Sequence, residues 1–222
     1  MIEQPEMNRP MNNPVLVDHW QAIYRDKSEA QTSWFRAHLD ESLRLIDELH
    51  LPAATPLIDV GGGRSTLVDD LLARGFTNVT VLDIAASALA VMRERLGVDA
   101  ARAHWHVADI TEAALPAAHF GLWHDRAVFH FLVDEAARKR YVAQAAASVR
   151  AGGHAILATF ATDGPDRCSS LPVRRYDADA LAAEFQPAFE RLAVAREEHR
   201  TPWGATQPFT YVVLRRSDYP SP

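Results

Sequence analysis

The chain has 222 residues, of which 48 % are hydrophobic and 23 % charged, and its formal net charge is −6. This composition is typical of an ordinary globular protein with a sizeable core, and the acidic balance argues against a general nucleic-acid binder. A single cysteine, Cys168, excludes an intramolecular disulfide. No apolar run approaches the roughly 20 residues of a membrane span, and the start lacks a secretory signal pattern. We therefore expect a cytoplasmic protein with no nucleic-acid or membrane partner.

The first part of the chain precedes any strand pattern. Residues 1–16 are broken by prolines and predict a loose arm, and residues 17–55 predict a helical cap. Apolar residues recur at helical spacing, which predicts helices over Leu16–Arg25 and Thr32–Leu51. The stretch "LPAATP" ends the second of them.

Residues 56–161 alternate between strand-like and helix-like segments. The predicted order is "LIDV", a helix over Ser65–Arg74, "NVTVLDI", a helix over Ser87–Leu96, "HWHVADI", "FGLWHD", a helix over Asp134–Val149 and "HAILATF". Expected N-caps are Ser65 or Thr66, then Ser87 and Asp134, and "RAGG" is expected to end the third helix. Such alternation indicates a parallel sheet covered on both faces.

The pattern changes after Phe160. Residues 162–222 predict a loop, a helix near Asp177–Phe185 and two strand-like runs, "FERLAVAREEH" and "PFTYVVLRR". The two runs predict an antiparallel hairpin at the sheet edge. We expect one α/β domain over residues 1–222, with a doubly wound sheet and helices on both faces.

Three consecutive glycines follow the first predicted strand in "LIDVGGGRST". Gly61, Gly62 and Gly63 lie at its carboxyl end, where open parallel sheets bind ligands. A dinucleotide site needs a further glycine where Thr66 stands, and no lysine of a phosphate loop follows. Asp59 would repel a pyrophosphate but suits a ligand with a cationic amine.

Five segments in order resemble the motifs of the class I S-adenosylmethionine-dependent methyltransferases. They are "LIDVGGGRS", "VTVLDIAASAL", "WHVADI", "ALPAAHFGLWHD" and "RAGGHAILATF", and they cover Leu57–Phe160. Ser65 stands where the last glycine is usual, and Gly121 replaces a customary aspartate. The resemblance implies a Rossmann-like seven-stranded sheet whose last strand is antiparallel.

The resemblance also implies a cofactor site for S-adenosylmethionine, with S-adenosylhomocysteine as product. Asp83 would accept the ribose hydroxyls, and Asp109 would meet the adenine amino group. The cofactor contacts that it implies are Asp59, Gly61, Gly62, Gly63, Asp83, Ile84, Asp109, Ile110 and Asp125. The earlier stretch "HWQAIYRDKSEAQTSWF" is similar to the segment before the glycine motif in elongation-factor lysine methyltransferases and their bacterial relatives. That similarity implies that Trp20, Tyr24 and Trp34 help to enclose the cofactor.

The end of the fourth predicted strand, "HDRAVFHF", is where the family places groups that handle the acceptor. Asp125 is a candidate to receive a proton or orient the methionine amine, and the alternative is a helix cap or an ion pair with Arg126. His130 is a candidate general base, and the alternative is a packed core residue between two phenylalanines. His124 is expected to be structural.

The remaining polar clusters are open to both a structural and a functional interpretation. His104 and His106 face the same way on a strand, but no third ligand is placed, so we expect no metal site. Cys168 is either an acceptor-side thiol or an inert small residue. Residues 174–176, "RRY", either grip an anionic acceptor or are solvated loop charges.

The expected activity is methyl transfer to a small-molecule acceptor by in-line displacement, in which the protein chiefly aligns and desolvates the reactants. A protein lysine methyltransferase is the alternative within the enzyme class. The alternative outside it is a non-catalytic module that binds S-adenosylmethionine or S-adenosylhomocysteine. An acidic acceptor rim would favour lysine, and a basic rim an anionic metabolite.

Overall fold

The structure is a computed structural model, and it describes residues 14–28 and 31–218. Residues 1–13 of the expected loose arm lie outside the described residues. Residues 14–16 are not part of an arm, because the first helix already begins at Pro14.

Six α-helices and nine strands make up the described fold. The helices are α1 Pro14–Asp26, α2 Asp40–Glu48, α3 Leu67–Ala73, α4 Ala86–Leu96, α5 Glu135–Ser148 and α6 Ala178–Glu184. The strands are β1 Leu57–Val60, β2 Val79–Asp83, β3 Ala103–Val107, β4 Phe120–Arg126, β5 Val149–Phe160, β6 Arg167–Cys168, β7 Leu171–Pro172, β8 Phe189–Arg200 and β9 Thr206–Arg216. Strands β6 and β7 form a separate two-stranded ladder.

Seven strands form one sheet in the order β3-β2-β1-β4-β5-β9-β8. Strands β1 to β5 are parallel to one another, and β9 runs antiparallel to both β5 and β8. The expected fold class, a mostly parallel seven-stranded sheet with an antiparallel terminal hairpin, is confirmed. The strand order reverses between β1 and β4, and this reversal opens a crevice at their carboxyl ends.

Alternate residues of β1 belong to two different apolar clusters, one on each face of the sheet. Leu57 joins a cluster with Leu122 and Ile156, and Ile58 joins one with Trp123 and Leu157. All four β1 side chains are buried. Helices therefore cover both faces, and this is why "LIDV" reads as a continuous apolar run rather than an alternating one.

The predicted helix over Thr32–Leu51 is wrong in its first half, because α2 begins only at Asp40. Backbone carbonyls of the preceding segment bond to distant side chains instead of to a helical turn. Thr66 Oγ1 donates to Ala37 O at 2.8 Å, and His199 Nε2 lies 2.6 Å from Ser33 O. Tertiary hydrogen bonds thus hold residues 32–39 in an irregular path that apolar spacing does not reveal.

The predicted caps are partly correct. Asp134 accepts a hydrogen bond from Ala137 N at 2.9 Å, and Ser65 Oγ accepts one from Leu67 N at 3.0 Å. Ser87 is not a cap, because α4 begins at Ala86 and Ser87 lies within its first turn. The "RAGG" stretch does not end α5 by a glycine cap, since the helix ends at Ser148 and these residues open β5. Within the described residues, no helix combines the length and apolarity needed to cross a bilayer.

Candidate functional site

The turn after β1 has little room for side chains. Gly61 and Gly63 have φ of +67° and +54°, a region that glycine enters without strain. A Cβ on Gly62 would lie 2.5 Å from Val81 Cγ1 and 3.0 Å from Asp59 Oδ2. Gly61 N and Gly62 N both donate to Leu82 O, at 2.7 and 3.1 Å. The glycines therefore keep the backbone tightly against β2 and bare toward the crevice.

The crevice contains a main cavity with about 860 Å³ of free space, its open mouth included. The side facing β1 to β3 is lined by Val60, Gly61, Leu82, Asp83, Ile84, Asp109 and Ile110. Residues of the later elements, Arg126, Phe131, Phe160, Cys168 and Phe209, line the rest of the cavity and define its acceptor side, and Trp20, Tyr24 and Trp34 also border the cavity.

A second cavity lies against the glycine turn. It is lined by Asp59 of β1, His124 of β4 and the three glycines. Arg36 and other residues of the irregular segment before α2 complete the lining. Tyr24, Trp34, Gly61 and Arg126 border this cavity and also the main one. The two spaces therefore adjoin at the turn, as the two halves of an elongated ligand would require.

Asp83 at the end of β2 is held by backbone donors. Its carboxylate accepts hydrogen bonds from Gly63 N at 2.8 Å and Ala85 N at 2.7 Å. Burial raises the pKa of Asp83 to about 6, although the two N–H donors act against that rise. The Ile84 N–H also acts on this carboxylate, and the roughly four lone-pair sites of a carboxylate still leave one for a ligand hydroxyl from the cavity.

Asp109 follows β3 and forms a local turn. Its Oδ1 accepts hydrogen bonds from Thr111 N and Thr111 Oγ1, both at 2.8 Å. Asp109 and Ile110 line the same cavity wall as Asp83. Three predicted acidic residues, at the ends of three adjacent strands, are thus brought to one edge of the sheet.

Asp59 is the acidic residue closest to the glycine turn, and its side chain is buried. Its Oδ1 lies 2.7 Å from His124 Nδ1, and His124 Nε2 lies 2.9 Å from Ser42 Oγ on α2. Its other oxygen, Oδ2, is buried and has no hydrogen-bond partner among the described residues. A buried polar atom without a partner is unusual in proteins and fits a ligand donor at this position.

The predicted aromatic residues of the N-terminal segment close over the glycine turn. Trp20 and Tyr24 of α1 lie with Trp34 at ring-centroid distances of 5.9–6.4 Å from one another. Tyr24 Oη stands directly against Gly63, and Arg64 donates to the carbonyl oxygens of Tyr24 and Lys27. We call Trp20, Tyr24 and Trp34 the aromatic cover, because all three border the main cavity and two of them, Tyr24 and Trp34, also border the second.

The geometry does not support a catalytic or amine-orienting role for Asp125. The carboxylate is buried away from both cavities and accepts hydrogen bonds from Val128 N, Phe129 N and Tyr141 Oη, at 2.8, 3.0 and 2.5 Å. Asp59 pairs with His124 across β1 and β4, and successive strand residues face opposite sides. Asp125 therefore points to the other face of the sheet and caps the turn that follows β4.

His130 is also unsuited to act as a base. Its ring is buried between Phe131 and Phe160 and does not line either cavity. Phe160 N donates to His130 Nδ1 at 3.4 Å. Burial, assisted by the nearby Arg126 charge, lowers the pKa of His130 to about 3. The alternative of a packed core residue is the one that the geometry supports.

Arg126 is a cavity residue that the sequence interpretation assigned only to an ion pair. Its guanidinium is buried, bonds to Glu197 Oε2 at 3.2 Å and Tyr211 Oη at 3.0 Å, and stacks over Phe209 at 4.3 Å. Its position two residues after His124 places it on the face of Asp59. Strand alternation could have shown that Arg126 shares a face with His124. Only the register between β1 and β4 shows that Asp59 lies on that face as well.

The other polar candidates do not form a second site. Cys168 lines the main cavity, but burial raises the pKa of its thiol to about 11, so it is no ready nucleophile. Arg174 pairs with Glu184 at 3.5 Å, and Arg175 donates to Gly164 O at 2.9 Å, so neither lines the cavity. Among the described residues, no group of three metal-ligating side chains is present.

Comparison with known proteins gives one family match and many structural ones. Residues 57–153 match the family model described as a methyltransferase domain. Curated protein sequences give no match.

Three solved structures resemble the chain closely in fold. One, from work on the conversion of a disulfide bond into a thioacetal group during echinomycin biosynthesis, has 18 % identity, coverage of 93 % of this chain and 94 % of its own, and a TM-score of 0.75. The Burkholderia thailandensis 1,6-didemethyltoxoflavin N1-methyltransferase, with bound 1,6-didemethyltoxoflavin and S-adenosylhomocysteine, has 20 % identity, coverage of 98 % and 94 %, and a TM-score of 0.70. The glycopeptide N-methyltransferase MtfA with sinefungin has 19 % identity, coverage of 82 % and 95 %, and a TM-score of 0.63.

Proposed function

We propose that this chain, a class I S-adenosylmethionine-dependent methyltransferase by its matched domain and its fold, transfers the methyl group to a small-molecule acceptor. The proposal concerns the acceptor and the roles of individual residues. It rests on what lines the two sides of the main cavity.

The residues at the β1 to β3 edge fit S-adenosylmethionine. The unpartnered Asp59 Oδ2 would take the ammonium group, and the second cavity beside the glycine turn would hold the amino-acid tail. Asp83 would accept the ribose hydroxyls, and Asp109 with Ile110 would meet the adenine. When bound, the cofactor supplies a methyl group on a sulfonium, which is already a good leaving group. The aromatic cover would exclude water from that centre.

The acceptor side of the cavity supports a planar, weakly charged molecule. Phe131, Phe160 and Phe209 supply aromatic walls, and Arg126 is the charged residue among the described residues of this side. The carboxylates that line the main cavity, Asp83 and Asp109, stand on the cofactor side. A lysine ammonium would find no free carboxylate among the described residues of this side, because Glu197 already pairs with Arg126, and this disfavours the protein lysine methyltransferase alternative.

Among the described residues, this side of the cavity also has no suitable base. His130 is displaced into the core, and the Cys168 thiol stays protonated because burial raises its pKa to about 11. The acceptor must therefore present an atom that is nucleophilic without help, such as a heteroaromatic nitrogen, a thiolate or an acidic phenol. Arg126 would favour an acceptor that carries an anion or a carbonyl oxygen beside that atom. The solved relatives that act on 1,6-didemethyltoxoflavin and on glycopeptides are consistent with acceptors other than protein lysine.

The experiment is calorimetric titration with S-adenosylhomocysteine, followed by turnover with S-adenosylmethionine on matched acceptor panels. The panels are planar nitrogen heterocycles, thiols and phenols on one side and lysine peptides on the other. We expect methylated product from the first set alone. Product from lysine peptides would refute the acceptor class, and tight binding with no product from any panel or from cell extract would favour the non-catalytic module.

A further inference from the structure

The inference concerns how Asp59 is held, and it rests on the proposed cofactor site. Asp59, His124 and Ser42 form a buried chain of contacts of 2.7 and 2.9 Å that links β1, β4 and α2. All three side chains are buried.

A nucleophilic serine is not a sensible interpretation of this trio. Ser42 has no exposed surface and lines neither cavity, so no substrate carbonyl can approach its oxygen. The accessible end of the chain is instead Asp59, which lines the second cavity beside the glycine turn. Ser42 therefore holds the His124 imidazole, and the imidazole in turn holds the Asp59 carboxylate.

We propose that His124 and Ser42 are positioning residues that fix the Asp59 carboxylate, so that its free oxygen receives the ammonium group of the cofactor's amino-acid tail. The imidazole occupies Oδ1, and a neutral ring satisfies both contacts when Nδ1 donates to Asp59 and Nε2 accepts from Ser42. Oδ2 is then left without a protein donor. It faces Gly62, where a Cβ would stand 3.0 Å away.

The binding affinities of two ligands distinguish this positioning role from a general packing role. S-adenosylhomocysteine carries the ammonium group, and 5′-methylthioadenosine shares the adenosine and thioether but lacks the amino-acid tail. Removal of the imidazole by His124→Leu should weaken binding of S-adenosylhomocysteine by about tenfold or more, because a charge-assisted contact is lost. The affinity for 5′-methylthioadenosine should stay within about twofold.

Three further variants test whether Ser42 acts on Asp59 through His124. His124→Asn keeps a donor near the position of Nδ1 and should restore much of the lost affinity. Ser42→Ala should give a smaller loss of the same ligand selectivity, and it serves where His124→Leu does not fold, as judged by its thermal transition. Asp59→Asn combined with His124→Leu should be no worse than Asp59→Asn alone, since both act on one contact.

Equal weakening of both ligands by His124→Leu would overturn the proposal, because the histidine would then support the whole site by packing. Unchanged affinity for S-adenosylhomocysteine in His124→Leu and Ser42→Ala would overturn it as well. Failure of the unaltered protein to bind either ligand would instead refute the proposed cofactor site itself. The two failures are therefore distinguished by the unaltered protein.

Discussion

Gly63→Ala tests the fit between the glycine turn and the aromatic cover. Gly63 has a φ of +54°, so an alanine there would carry a backbone strain of about 1–2 kcal/mol. Its methyl group would also overlap Tyr24 Oη, the nearest atom. For a chain of this length each kcal/mol lowers Tm by about 2–4 °C, so strain alone predicts a fall of about 2–8 °C.

The overlap with Tyr24 should weaken ligand binding as well as lower the stability. Relief of the overlap requires Tyr24 to move away from the turn, or Gly63 N to move from Asp83 Oδ2, which lies 2.8 Å from it. Either movement disturbs a wall of the cavity. We expect the Kd for S-adenosylhomocysteine to rise about tenfold, which corresponds to about 1.4 kcal/mol.

Two controls isolate these effects. Gly75 also has a positive φ, +88°, but a Cβ there would have no neighbour within 4 Å. Gly75→Ala should therefore lower Tm without changing the Kd. Addition of Tyr24→Phe to Gly63→Ala removes the overlapping oxygen and leaves the ring carbon Cζ 3.2 Å from the new methyl, so part of the affinity should return. Calorimetry and thermal melts measure both quantities, and equal Kd changes in Gly63→Ala and Gly75→Ala would refute the reasoning.

Three more variants test the site. Because burial raises the pKa of Asp83 to about 6, affinity for S-adenosylhomocysteine should fall as the pH drops below about 6, and titrations of Asp83→Asn from pH 5 to 8 should lack this step. In the ligand-free protein the sign is opposite: the raised pKa contributes stability that is present below the unfolded pKa and is lost as pH rises through about 6, which melts of the same variant across that range will check. Arg126→Gln should lower kcat/KM for an anionic acceptor more than for a neutral one of similar shape, and equal losses would exclude a direct contact. His130→Phe should leave the pH dependence of turnover unchanged, and a lost ionisation in that profile would restore the histidine as a base.

The sheet and the glycine turn could be predicted from the sequence because their signals are local. A strand that is buried on both faces, such as Leu57–Val60, reads as an apolar run, and a turn with positive φ requires glycine at fixed positions. The helix predicted over Thr32–Leu51 was wrong in its first half because the bonds that replace it, from Thr66 and His199, join positions far apart in the chain.

The roles of neighbouring strand residues depend on pairing that no single segment reveals. His124, Asp125 and Arg126 are consecutive, yet the first and third share the face of Asp59 and the second caps a turn on the opposite side. The pairing of Asp59 with His124 determines this assignment, and it involves two strands separated by more than sixty residues. The geometry of Asp125 therefore supports the capping alternative rather than the acceptor-side role.

Trp20 and Tyr24 of α1 belong to a small apolar cluster with Ala85 and Ala88, and Trp34 joins this cluster to one of the two larger clusters that stabilise the sheet. Detachment of α1 would expose that minor cluster and leave both large ones intact, so it should cost much less than global unfolding. Entry and release of ligands can thus proceed by a local opening of the N-terminal helix while the seven strands stay paired. Amide hydrogens of α1 would then exchange with solvent well before those of β1 and β4.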